Sequence, residues 1–293
     1  MQALDIDGAE SRYIDVNGVN THYYEAGAGE ALILLHGGGA GADGFGNWRG
    51  CLADFAEHFH VYAIDMIGFG FTDKPDPQDY SYTQQARNEH IIATIEALGL
   101  SSVNLIGNSM GGSTSMGVAI ERPDLVDKLV LMGSAGVRAP ISDELKSIMN
   151  YDYTREGMVK IVRGLTNPHF QFDEELVNYR HALSIQDDTK RAYNAVMGWI
   201  REQGGLYYKE EYIARITHET LVVNGKLDLV VPLSSAYKLL ELIKNSWGYI
   251  IPDCGHWAMI EKPVEFTAAA LSFLSNRGQA PHTQQFPPTP TLS

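Results

Sequence analysis

The sequence predicts an α/β fold, a mostly parallel central sheet flanked by helices and interrupted by a helical insertion. Three observations carry this. Short continuous apolar runs alternate with amphipathic stretches over the first half of the chain. The strand signal then vanishes across residues 138–218, and it resumes afterwards. Continuous apolar runs suit strands buried on both faces, and strand followed by helix, repeated, implies parallel pairing.

Alternating residues from Tyr13 to Val16 and from Val19 to Glu25 flank Asn17-Gly18, a dipeptide that accepts the positive φ angles of a tight hairpin turn, so the chain opens with an antiparallel pair. Buried strands follow at Leu32 to Leu35, Val61 to Asp65, Val103 to Ile106 and Leu129 to Met132. Helices are expected over Gln84 to Leu98 and Met110 to Glu121. The insertion carries helix caps at Asp143, Thr154, Asp173 and Asp188. Strands return at Leu221 to Asn224 and Gly248 to Ile251, and a last helix runs from near Pro263 to near Asn276. The expected division is therefore a core of residues 1–137 and 219–276, a helical cap of 138–218, and a Pro-, Gln- and Thr-rich tail of 277–293 that is expected to be disordered.

At 293 residues, 44% of them hydrophobic, one core with an inserted subdomain is the economical reading. A formal charge of -14 repels polyanions and acidic membranes, which argues against nucleic-acid or membrane partners. The same field repels a small anionic substrate unless a cation is placed locally to hold it. Two distant cysteines, Cys51 and Cys254, make no disulfide framework. With no apolar leader and no bilayer-length apolar run, the chain reads as soluble and cytoplasmic. It calls for no cofactor and no metal.

Gly107-Asn108-Ser109-Met110-Gly111 follows an apolar run and leads into a helical pattern, the strand-turn-helix setting of a nucleophile elbow, with small residues at 107 and 111 expected to clear space around a strained Ser109. A neutral serine needs a base, and the base needs a partner to fix its tautomer. In folds of this type the chain order is Ser, acid, His. Of ten histidines, His256 stands directly after the final strand. Asp228 leaves the strand ending at Asn224 at its carboxyl end, where ligands gather in open sheets. The loop after Met132 offers no carboxylate, and Asp65 precedes the nucleophile and reads as a cap on the turn before Gly68. The glycines of His36-Gly37-Gly38-Gly39 let backbone N–H groups approach a carbonyl oxygen, so Gly38 and Met110 are the expected oxyanion donors, with Gly37 beside them against the substrate. Read alone, the glycines would be a flexible surface loop.

Asn47 and Asn108 either add side-chain donors there or serve as turn residues, and Trp257 either walls an aromatic pocket or packs. Arg180 lies within an apolar stripe of Phe172, Leu176, Tyr179 and Leu183. It either reaches the edge to pair with Asp187 or Glu175, or faces the cleft as an anion receptor, which the acidic exterior favours.

At these residues the chain resembles the meta-cleavage product hydrolases, bacterial α/β-hydrolases that break carbon–carbon bonds in ring-fission products of aromatic compounds. The likeness covers nearly all of the chain up to the tail. It is carried by His36-Gly37-Gly38-Gly39-Ala40-Gly41, Gly107-Asn108-Ser109-Met110-Gly111-Gly112 and Cys254-Gly255-His256-Trp257. The stretches Trp199-Ile200-Arg201-Glu202-Gln203-Gly204-Gly205-Leu206 and Trp247-Gly248-Tyr249-Ile250-Ile251 look like the carbazole-pathway branch, which hydrolyses 2-hydroxy-6-oxo-6-(2-aminophenyl)hexa-2,4-dienoate. Leu227 departs from many relatives, which have a second acidic residue there. The resemblance implies a triad of Ser109, Asp228 and His256, donors at Gly38 and Met110, and substrate contacts at Arg180, Asn47, Asn108, Trp257 and Gly37. It also implies a small anionic aromatic ring-fission product as substrate and a homodimer or higher assembly. A carboxylesterase of the same fold is the alternative.

Overall fold

The hairpin turn forms as expected, with φ of 55° at Asn17 and 84° at Gly18, and joins β1 (Glu10–Val16) to β2 (Val19–Gly27) in antiparallel register. Six further strands follow: β3 (Ala31–Leu35), β4 (His60–Ile64), β5 (Val103–Asn108), β6 (Val126–Met132), β7 (Glu219–Gly225) and β8 (Ser246–Ile251). They make one sheet in the order β1-β2-β4-β3-β5-β6-β7-β8, in which β2 pairs antiparallel with β1 and β4 and every later pairing is parallel. All six residues of β5 are buried, as a strand covered on both faces requires. This computed structural model describes residues 1–276. The tail expected to be disordered, 277–293, lies outside the described residues.

Helices connect the strands. Between β3 and β4 stand α1 (Gly44–Trp48) and α2 (Leu52–Ala56), then α3 (Gln84–Ala97) precedes β5 and α4 (Met110–Glu121) follows it. Five helices separate β6 from β7, namely α5 (Asp143–Met149), α6 (Arg155–Leu165), α7 (Glu174–Ser184), α8 (Asp187–Gln203) and α9 (Glu210–Ile213). The chain ends its described part with α10 (Leu233–Leu242), α11 (Ala258–Glu261) and α12 (Pro263–Leu274). Among the described residues no helix is long and apolar enough to cross a membrane.

Two of the four expected caps hold: Thr154 accepts from the Gly157 N–H and Asp173 from the Leu176 N–H. The other two shift. Ser142, not Asp143, caps α5 by accepting from the Leu145 N–H, while Asp143 sits in the first turn, where its charge suits the helix dipole. The next shifted start, α8, begins after Gln186 with no side-chain cap, and Asp188 turns to the N–H of Thr189 at 2.7 Å. The short α1 and α2 carry no periodic signal.

The insertion meets the core at the glycine loop after β3. Gly41 has φ of 64°, and a Cβ there would lie 2.1 Å from the carbonyl oxygen of Arg180. No other residue lets α7 settle so closely, and this contact brings Arg180 over the carboxyl ends of the strands.

Candidate active site

Ser109 stands between β5 and α4 with φ of 55°, a conformation that costs a residue with a side chain on the order of 1–3 kcal/mol. Three backbone hydrogen bonds hold it there: its N–H donates to Met132, and its carbonyl accepts from Ser113 and Ala135. The flanking glycines act differently from the expectation. A Cβ on Gly107 would lie 2.4 Å from the Gly111 carbonyl oxygen, and one on Gly111 would lie 2.3 Å from that of Leu35. They allow α4 to press against β5 and β3, rather than clearing room around the serine. Ser109 is half-buried and lines a cavity at the carboxyl edge of the sheet.

His256 lines the same cavity. Its Nδ1 lies 2.7 Å from Asp228 Oδ2, with both side chains buried. A carboxylate only accepts, so Nδ1 carries the hydrogen and Nε2 of the neutral ring is left as an acceptor. The second oxygen of Asp228 accepts the N–H groups of Val230 and Val231, both at 2.8 Å, which fixes the carboxylate before it meets the imidazole.

Gly37, Gly38, Met110, Asn47, Asn108 and Trp257 all line this cavity too. Gly38 abuts Met110 so closely that a Cβ would fall 2.7 Å from the methionine sulfur, and a Cβ on Gly37 would fall 2.8 Å from Asn108 Oδ1. Met110 is the first residue of α4, whose N–H has no partner inside the helix. Asn47 donates from Nδ2 to Asn108 Oδ1 at 3.3 Å, and Asn108 donates from its own Nδ2 to the Met132 carbonyl at 3.2 Å. The Asn108 amide nitrogen is therefore turned toward β6. Asn47 retains one amide hydrogen.

Of the two readings of Arg180, the structure takes the cleft. It is 1% exposed and pairs with neither Asp187 nor Glu175. Nη2 donates to the Ala40 carbonyl at 2.9 Å, the guanidinium lies 4.8 Å over the Trp257 ring, and Nε and Nη1 have no hydrogen-bond partner. Burial lowers its pKa to about 10, which leaves it charged at neutral pH. Arg180 is thus a buried cation that lines the cavity and has two unsatisfied donors, an arrangement that suits an anion.

A match to the α/β hydrolase fold family spans residues 30–263. The chain belongs to the α/β-hydrolase family. It is 52% identical over 267 residues to the 2-hydroxy-6-oxo-6-(2'-aminophenyl)hexa-2,4-dienoic acid hydrolase of Metapseudomonas resinovorans, covering 91% of each chain. A solved serine hydrolase involved in carbazole degradation superposes with a TM-score of 0.85 at 50% identity, over 92% of this chain and all of that one. A meta-cleavage product hydrolase from Pseudomonas fluorescens gives 0.85 at 32%, over 90% of this chain and 97% of that one. The resemblance to meta-cleavage product hydrolases, and to the carbazole-pathway branch among them, is borne out.

In this α/β-hydrolase several buried polar residues brace the loops around the cavity. His36 donates from Nδ1 to the Gly37 carbonyl at 2.7 Å and accepts at Nε2 from the Met66 N–H at 3.0 Å, so it is neutral and ties the glycine loop to the end of β4. Burial lowers its pKa in the same direction. Asp43 caps α1 through Gly46 and accepts the Tyr179 hydroxyl from α7. Burial, with the nearby negative charge of Asp65 second, pushes its pKa up to about 7. Asp65 is a hub rather than a cap before Gly68: it is fully buried and accepts from the N–H groups of Gly44 and Phe71 and from His22. The run of Gly, Asp and Phe around residue 43 gives no periodic signal, so only the unusual acid within an apolar stretch hinted at Asp43.

Proposed function

We propose that this chain hydrolyses a carbon–carbon bond of a 2-hydroxy-6-oxohexa-2,4-dienoate ring-fission product bearing a 6-aryl group, with Ser109, His256 and Asp228 as the triad. The observation that carries the reading is Arg180, a fully buried cation whose Nε and Nη1 are unpartnered beside the cavity that Ser109 and His256 line. An esterase acting on neutral substrates has no use for such a group. The substrate named for the M. resinovorans relative is a carboxylate with a 2-aminophenyl substituent, and it supplies the missing partner.

The chemistry follows from what must leave. Hydrolytic cleavage between carbons expels a carbanion equivalent, so the dienol is first ketonised. His256 Nε2, free to carry a proton, moves it from the 2-hydroxyl toward C5, and the departing fragment becomes a stabilised dienolate. His256 then takes the proton of Ser109, or of water positioned by it, as attack begins on the C6 carbonyl. The oxygen charge that develops meets the N–H groups of Gly38 and Met110. Addition of one water across the C5–C6 bond and return of a proton to the dienolate oxygen at C2 yield an aromatic acid and 2-hydroxypentadienoate. Arg180 holds the carboxylate, Trp257 and Gly37 bound the chain of the substrate, and Asn47 with Asn108 braces the glycine loop. Residues 138–218 serve as the cap over the cavity. The proposal includes a cytoplasmic location and a homodimer or larger assembly, for which sizing in solution is the check.

Incubation with the 2-aminophenyl dienoate bleaches its visible absorption and releases 2-aminobenzoate. Absence of bleaching across aminophenyl, phenyl and alkyl dienoates, beside fast turnover of p-nitrophenyl esters, replaces this reading with a carboxylesterase.

A further inference from the structure

Glu261, at the end of α11, is a buried carboxylate that the mechanism above does not use. Its two oxygens accept four N–H groups: the peptide N–H of Gly255 at 3.0 and 3.1 Å, that of Trp257 at 3.3 Å, that of Asn167 at 2.8 Å, and the Asn167 side-chain amide at 2.9 Å. Gly255 and Trp257 are the two neighbours of His256. The N–H of His256 itself donates to the Leu165 carbonyl at 3.1 Å, and Asn167 Nδ2 also reaches the Asp253 carbonyl at 3.1 Å. A Cβ on Gly255 would lie 2.5 Å from the Asn167 nitrogen, so the two segments are in direct contact. Leu165 ends α6 and Asn167 follows it. The loop that carries the imidazole is thus fastened to the helical insertion, and Glu261 is where both strands of chain are tied.

We propose that Glu261 is a positioning residue that fixes His256 by binding the His256 loop and the end of α6 to one carboxylate, so that the imidazole is aimed at Ser109 only while the insertion is seated. The proposal rests on the reading of His256 as the base. Only a carboxylate suits the place, because a glutamine has one acceptor oxygen and would turn its amide hydrogens against the N–H donors. Catalysis is sensitive to this, since displacing a reacting group by about 1 Å can cost about a hundredfold in rate.

The test uses the full chain with Glu261→Gln, Glu261→Asp and Asn167→Ala. It reads kcat and KM on the 2-aminophenyl dienoate, the rate at which a fluorophosphonate inactivates the protein, and the thermal midpoint. The fluorophosphonate reports an activated serine without any dienoate. Glu261→Gln is expected to lower kcat and the inactivation rate together by about 10- to 100-fold with KM within about threefold, and Glu261→Asp to recover part of both. Asn167→Ala, which severs the tie to α6, is expected to lower both by about 3- to 10-fold. A folded Glu261→Gln variant with unchanged kcat and inactivation rate overturns the proposal, as does a rise in KM with kcat intact. Should Glu261→Gln fail to fold, unchanged rates in the other two variants overturn it equally. If no dienoate is turned over but inactivation depends on Glu261 and Asn167 as stated, the positioning role stands and the substrate assignment falls.

Discussion

Two histidine–carboxylate pairs in this chain share one geometry in opposite surroundings. His256 and Asp228 lie 2.7 Å apart at the cavity, and His22 and Asp65 lie 2.7 Å apart under the N-terminal hairpin. The second pair even has a serine in contact, with Ser11 Oγ 2.9 Å from His22 Nε2. Yet Ser11 sits exposed on the regular edge strand β1, and the Asp65 carboxylate also gathers the N–H groups of Gly44 and Phe71 to hold the loops beyond β4. Ser109 has the reverse endowment: a strained turn, a helix N-terminus behind it, a glycine loop beside it and a cavity before it. A Ser-His-Asp chain of hydrogen bonds is therefore not what sets Ser109 apart from Ser11. Its backbone conformation and what surrounds the hydroxyl are.

The comparison breaks most sharply under exchange of the two histidines. His256→Gln is expected to lower kcat on the dienoate by about 10³-fold or more while leaving the fold intact, since members of a cooperating triad fail together. His22→Gln is expected to do the opposite. It leaves Asp65 buried without its cation-capable partner, a loss on the order of 3 kcal/mol in urea unfolding, with kcat nearly unchanged. Equal kinetic losses from both variants would dissolve the distinction.

Arg180 sharpens it next. Arg180→Ala is expected to lower kcat/KM for the dienoate by about 10- to 100-fold, the worth of one or two charge-assisted hydrogen bonds, and to change turnover of a neutral ester only a few-fold. Parallel losses on both substrates would return Arg180 to a packing role.

The smallest effect concerns Asp43. Its pKa is raised from 3.8 to about 7 in the folded chain, so the folded state binds more protons than the unfolded one between those values. Stability on this account falls as pH rises from about 4 to about 7 and levels above that. Charges facing Asp43 are those of Asp65 and Arg180, with Tyr179 donating to it. Asp43→Asn removes that descending limb from a series of urea unfolding curves. A limb that persists in the variant belongs to another group.

The strand positions, the turn at Ser109 and the aspartate that pairs with His256 were legible because each leaves a local mark: a buried apolar run, a glycine-flanked serine, an aspartate after a strand. Arg180 was legible only as an alternative, because spacing on a helix gives its face but not whether a glycine at 41 lets that face come down on the core. The stripe itself was drawn slightly wrong, with Val177 fully buried and Tyr179 only partly so. His36, Asp43 and Glu261 each join a local backbone group to a partner far away in the chain, at Met66, Tyr179 and Asn167 respectively. Such partners leave no pattern in spacing, so no reading of one sequence finds them. The cap at Ser142 shows the same limit on a smaller scale, since two adjacent polar residues compete for one N–H, while α8 starts with no side-chain cap at all.

The most direct measurement mixes the unmodified chain, Ser109→Ala and Ser11→Ala with the 2-aminophenyl dienoate in single-turnover experiments and follows bleaching and release of 2-aminobenzoate. The account predicts full release at equal rates from the unmodified and Ser11→Ala chains, and none on the same timescale from Ser109→Ala. Undiminished release from Ser109→Ala would contradict it.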